Sequence, residues 1–175
     1  MNIFCIELFP KDCAMSMCDR HVIKMILESA QMLSTAHHVL DGDDAHRKIE
    51  LYRPTHQNHP CNIWCRETSK NYLWLYQHFI ALCDEYQYRY GKIHKSRLKL
   101  EFILDSLPKN IKNGHLTTCA LAMPHEFKKL EMSSLGKYRA YYQSKQHDFT
   151  MVWSHRERPK WFIMKEKELV GEKLG

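Results

Sequence analysis

The sequence predicts an all-α fold: a single compact domain with two long helices and a short extended segment at its N-terminus. Three observations carry that expectation. Apolar residues recur at helical spacing in two long stretches, 13–40 and 59–91. The 175 residues include only 6 Gly and 6 Pro, so few points punctuate the chain. Its 9 Tyr, 9 Met and 4 Trp supply many bulky side chains, and no series of short alternating runs asks for strands.

The elements follow in order. Residues 2–9, NIFCIELF, are too apolar for a free tail and read as extended, with Pro10 interrupting and Asp12 a candidate N-cap. The helix over 13–40 carries Met17, Val22, Met25, Ile26, Ala30, Leu33 and Ala36 on its apolar face, and Asp41-Gly42-Asp43-Asp44 ends it. A polar loop covers 41–58. His59-Pro60 opens the second long helix, because proline suits a first turn, and Gly91 stops it. Its core face is expected at Ile63, Trp64, Leu73, Leu75, Phe79, Leu82 and Tyr86. A third helix fits 95–107, closed by Pro108; a looser stretch covers 109–121. A short element begins at Pro124, and 133–145 forms a further helix with Tyr138, Tyr141 and Tyr142. One domain over 1–164 is expected, with a charged tail at 165–175.

Composition narrows the function classes. The 44% hydrophobic and 26% charged fractions exclude global disorder. No apolar run approaches the roughly 20 residues of a membrane span, and the first residues lack the pattern of a signal peptide. Seven cysteines at scattered positions predict mostly free thiols in a reducing, cytoplasmic compartment. The formal net charge of +6 is compatible with a phosphate-bearing partner, DNA or a nucleotide, without a dedicated basic groove.

The chemistry-bearing residues concentrate on the first long helix. His21, Lys24, Glu28, Gln31, Thr35 and His38 follow spacings of 3, 4, 3, 4 and 3, which place them on one face. Met25, Ile26, Leu27 and Met32 flank that stripe. Either it lines a cleft, where a partly desolvated Glu28 serves as acid or base, or it is a solvated face with a Lys24–Glu28 pair. The loop from Tyr52 to Pro60, with His56 and His59, and then Arg66 and Asn71, is dense in hydrogen-bonding side chains. It suits a phosphate or a base edge, or else it is a rigid connection that caps the next helix. His56, His59, Cys61 and Cys65 lie close enough to consider zinc, but their order matches no familiar finger, and no metal is assigned. Trp153, Arg156, Arg158, Trp161 and Phe162 would stack bases and contact phosphates, or would dock the C-terminal region on the core. No Walker loop, dinucleotide fingerprint, HExxH or GxSxG is present, and no cofactor is expected.

Three blocks resemble one family in the same order. Asp19-Arg20-His21-Val22 with Glu28 seven residues after the histidine resembles the first-helix block of the phage-type pyrimidine dimer DNA glycosylases (endonuclease V). Met123-Pro124-His125-Glu126 resembles that family's Pro-His-Glu segment, and Arg158-Pro159-Lys160-Trp161-Phe162 its C-terminal Arg-Pro-x-Trp-aromatic segment. The chain is also similar to small phage proteins with a His-Val-x-Lys-Met helix and an Asn-His-Pro segment. The family resemblance implies a compact all-α enzyme acting on damaged or modified DNA bases in a phage-infected cytoplasm. It implies that an N-terminal α-amine attacks the sugar C1′ to form an imine, that Glu28 assists, and that β-elimination can then cut the strand. The catalytic residues so implied are Glu28 with Met1 or Asn2. His21, Lys24, Gln31, His38, His56, His59, Arg66, Asn71, His125 and Trp161 are expected around the substrate. Two departures stand out. Asn2 is a poor context for removal of Met1, and Leu27, Ser29, Ala30 and Gln31 replace the family's basic residues around and after the glutamate. A non-catalytic nucleotide or nucleic-acid binding protein of the counter-defence or sponge type, and a zinc-stabilised His/Cys interaction protein, are the alternative expectations.

Overall fold

A computed structural model describes residues 1–45 and 49–165. Pro10 occupies the first turn of α1 (Pro10–Ser16), where its missing N–H leaves no helical bond unmade. Met17 and Cys18 are extended, and α2 (Asp19–Asp41) starts afresh. The stretch 13–40 is therefore two helices, not one. Tertiary bonds fix the break: buried Arg89 donates to the carbonyls of Met15 and Met17 and to the Asp19 carboxylate. The Tyr142 hydroxyl accepts the Cys18 N–H at 2.9 Å.

The stretch 59–91 is also interrupted once. α3 (Pro60–Glu67) and α4 (Ser69–Tyr90) meet at extended Thr68, whose hydroxyl caps α4 by accepting the Asn71 N–H and donates to the His115 carbonyl. Gly91, with φ 64°, closes α4 in the left-handed conformation that a β-carbon disfavours. The break turns Ile63 outward, so it is exposed rather than part of the core. α5 (Lys95–Leu104) ends three residues before the expected boundary and buries Leu100, Ile103 and Leu104, leaving Leu98 and Phe102 exposed. α6 (His125–Lys128) and α7 (Ser134–Ser144) follow, the latter capped by the Ser133 hydroxyl.

The fold is all-α, with no strand among the described residues. α2 is the central element and packs against α3, α4 and α5, while α1 packs on α4. Val22, Met25, Ile26 and Leu33 of α2 meet a core that includes Leu75, Phe79 and Leu82 of α4. The N-terminal segment is extended as expected, and Ile3, Phe4, Cys5 and Ile6 are buried in the same core. Residues 111–123 form a nonhelical strap that Asn71 and Tyr138 pin to the helices. The C-terminal region docks through Trp153, whose indole donates to the Ser16 carbonyl, and through buried Phe162. The expected tail lies outside the described residues except for Lys165.

Five cysteines, 13, 18, 61, 65 and 83, are free and buried. Cys5 and Cys119 form a disulfide instead, joining the N-terminal segment to the strap. Their separation of 114 residues leaves no local spacing from which the pair is readable. No helix among the described residues is long and apolar enough to cross a membrane.

Candidate active site

Glu28 lies midway along α2 and is buried, with 9% exposure. The N-terminal segment crosses directly over it, and the Asn2 backbone N–H donates to Glu28 Oε2 at 2.8 Å. The side chain of Asn2 holds the segment there. Its Oδ1 accepts the N–H groups of Ile3 and Phe4 at 2.8 and 3.0 Å, and its Nδ2 donates to the Ala122 carbonyl at 2.7 Å. Phe4 has φ 54°, a left-handed conformation that is strained for a bulky side chain. The surroundings enforce it: Ile6 N–H donates to the Phe4 carbonyl, and the Phe4 ring stacks on His21 with centroids 4.8 Å apart.

These residues border a cavity of about 320 Å³. Met1, Asn2, Phe4 and Glu28 form one side; Arg20, His21, Lys24 and Met25 continue along α2; Tyr141, Lys145, Asp148 and Phe149 close it from α7 and the turn beyond. Lys24 Nζ stands 3.6 Å from Glu28 Oε1. Burial, reinforced by Lys24, Lys145 and Arg20, pushes the His21 imidazole down to about 3. The ring is therefore neutral at physiological pH, with Nδ1 bonded to the Tyr142 hydroxyl at 2.9 Å. It shapes the cavity without carrying charge.

Met1 enters from the other side, where its sulfur accepts from Asn62 Nδ2 at 3.1 Å. His59 borders the same end. Its pKa is lowered by burial first, then by the N-terminal ammonium and His56, with Glu28 opposing. His59 also accepts the Cys61 N–H as the cap of α3.

The structure thus brings Met1, Asn2, His21, Lys24 and Glu28 around one cavity, with His59 beside the N-terminus. Gln31 lies further along α2, half-buried and not part of the cavity lining, and its carbonyl accepts the Thr35 hydroxyl. His38 bonds the Tyr52 carbonyl and lines a separate depression with Arg53 and Gln57. His56 is exposed and pairs with Thr55 at 2.6 Å. Arg66 sits half-buried in the last turn of α3. Asn71 is fully buried; its amide serves Trp64 and Thr117, so its bonds hold the strap. His125 is exposed on α6, and Trp161 donates to Glu7 beneath Arg139. None of these last six residues lines the cavity.

Sequence reasoning did not single out Phe4, Arg20, Lys145, Asp148 or Phe149. Arg20 stood inside the first-helix block, but the others carried no local motif, because only the fold brings 141–149 against α2. Among the described residues no group of three or more His, Cys, Asp or Glu is placed to hold a metal ion. Cys61 is a buried thiol pushed up to about 12 by desolvation, and burial raises Cys65 as well.

The site is thus a helical scaffold that presents a backbone nitrogen to a buried glutamate beside a cavity bordered by Arg20, Lys24 and Lys145. Residues 1–98 match the family model described as pyrimidine dimer DNA glycosylase, which covers more than half of the chain. The protein belongs to the pyrimidine dimer DNA glycosylase family. No curated protein and no solved structure matches it. The matched half holds Asn2 and Glu28, while Tyr141, Lys145, Asp148 and Phe149 lie beyond it.

Proposed function

We propose that the protein is a DNA N-glycosylase that releases a damaged or modified base through the residue-2 nitrogen and Glu28. The 2.8 Å bond from that nitrogen to Glu28 Oε2 carries the reading. Without Met1 the nitrogen is an α-amine, with a pKa near 8 that leaves a useful neutral fraction at physiological pH. Its lone pair attacks C1′ as the C1′–base bond breaks and the base departs with the bonding electrons, to be protonated. Glu28, which already accepts from this nitrogen, takes the proton that the attached amine gives up and passes it to O4′ as the C1′–O4′ bond opens, giving an imine. Removal of a C2′ proton permits β-elimination of the 3′ phosphate, the lyase branch of the same chemistry. DNA is the substrate, consistent with the family.

A second reading rests on the contact between the Met1 sulfur and Asn62. With Met1 retained, the residue-2 nitrogen is an amide and has no nucleophilic lone pair. The free α-amine is then that of Met1, which also borders the cavity. In this reading it does not attack C1′; Glu28 works as a base on water, and base release proceeds without an imine.

The test compares the chain beginning at Asn2 with the chain beginning at Met1, on duplexes carrying pyrimidine dimers, modified bases or abasic sites. Borohydride trapping confined to the Asn2 chain and lost in Glu28→Gln supports the amine mechanism. Base release without trapping from the Met1 chain supports hydrolysis. DNA binding with neither base release nor trapping in either chain would leave a non-catalytic binding protein.

A further inference from the structure

The matched half of the chain leaves the strand-holding charges of the site unassigned, because Leu27, Ser29, Ala30 and Gln31 follow one another around Glu28. The cavity supplies cations from two other places. Arg20 and Lys24 stand on α2 about two turns and one turn before Glu28, and Lys145 stands just past the end of α7. An aromatic ring positions each outer cation. The Arg20 guanidinium lies 4.6 Å from the Phe149 ring centroid, and Lys145 Nζ lies 4.7 Å from that of Tyr141.

We infer that Arg20 and Lys145 form a phosphate cradle that grips the DNA backbone beside the sugar attacked at Glu28. The inference rests on the glycosylase reading and specifies how that site holds its strand. Lys24 is already paired with Glu28 and Lys145 with Asp148 at 3.2 Å, whereas no carboxylate among the described residues lies within ion-pair distance of Arg20. Arg20 is therefore free to take an incoming phosphodiester, and Lys145 is tied only to a largely exposed Asp148, a pair that a phosphate can displace. The rings act as posts for the cations, since the ring faces they cover are unavailable to a stacked base. After burial, which is the first cause, Lys24, Lys145 and Arg20 each lower the His21 pKa, so all three cations lie within electrostatic reach of that ring.

The test measures equilibrium binding in a Glu28→Gln background, so that turnover does not intrude. The probe is a duplex bearing one tetrahydrofuran abasic analogue, titrated between low and moderate salt. Each phosphate contact contributes about 0.9 to the slope of log K against log salt concentration. Arg20→Ala and Lys145→Ala are each expected to reduce the slope by about that amount and the double variant by about twice as much. Arg20→Lys and Lys145→Arg should keep most of it, and Lys92→Ala, an exposed cation away from the cavity, should leave it unchanged. Binding whose slope is unaltered in both alanine variants, or lowered equally by Lys92→Ala, overturns the cradle while leaving the glycosylase reading intact. Absence of any DNA binding overturns the cradle and the DNA reading together, and base release from a free nucleotide would then preserve the chemistry alone.

Discussion

At the scale of single residues, Asn2 matters more through its side chain than its size suggests. Three hydrogen bonds from one amide fix the turn that carries the backbone nitrogen to Glu28. Asn2→Ala leaves the N–H groups of Ile3 and Phe4 without that acceptor, at a cost of about 1–3 kcal/mol each where no replacement is found. It is expected to lower the unfolding midpoint in urea and to slow imine trapping, whereas Asn2→Asp, which retains Oδ1, should preserve the turn better. A trapping rate equal to that of the parent in Asn2→Ala would show that the staple is dispensable. Glu28 was legible from the sequence because its whole stripe repeats at helical spacing. The staple was not, because its partner Ala122 lies 120 residues away. The left-handed Phe4 was equally hidden, since a phenylalanine gives no local sign of a positive φ.

The elements show what periodicity reveals and what it conceals. His59-Pro60 marked a true helix start and Gly91 a true stop, because cap chemistry is local. The break after α1 passed unseen because buried Met17 and Cys18 carry the apolar pattern through it, and the break after α3 because the polar run 66–71 contains no Gly or Pro to mark it. What bends the chain at Met17 and Cys18 comes from Arg89 and Tyr142, far along the sequence. At the other break Thr68 serves two elements, capping α4 and holding the strap at His115. Thr68→Ala should therefore cost at least the ~1 kcal/mol of an ordinary cap. Hydrogen exchange should rise both in the first turn of α4 and across the strap near 115. Faster exchange in only one of these places would mean that the two roles are uncoupled.

Across the whole molecule, a charged cluster ties the first helices to the C-terminal region. Arg89, with no exposed side-chain surface, pairs with Asp19 and Glu85, and Arg156 takes both oxygens of Glu85. Removing one partner leaves buried charge behind, so Arg89→Ala should destabilise by about 3–5 kcal/mol in equilibrium unfolding. The loss should be smaller for Arg156→Ala, whose partner keeps Arg89. The cluster also has a pH signature. Burial tends to raise the carboxyl pKa of Asp19, but bonds from Ser154 and Arg89 outweigh it. Arg156 and Arg89 do the same for Glu85, so both carboxyls sit below their ordinary values. Folded pKa values below the unfolded ones mean that this contribution is full above about pH 4–5 and is lost as the pH falls through the lowered values. Urea midpoints measured downward from pH 5 should drop, and the drop should shrink in Asp19→Asn. A fall of equal size in that variant would assign the acid sensitivity elsewhere.

The Cys5–Cys119 bond makes the chain a ring with two tails. Helices α1 to α5 all lie within the ring, whereas Asn2 sits on one tail and α7 on the other. One proteolytic cut anywhere between the two cysteines opens the ring without separating anything. The nicked protein should migrate as a single species until a reductant is added and then resolve into two fragments. Before reduction, the nitrogen over Glu28 and the Lys145 side of the cavity stay on the same covalent body. In this protein, then, chain continuity and integrity of the site are separate properties, and an intact-looking band in the absence of reductant says nothing about the first.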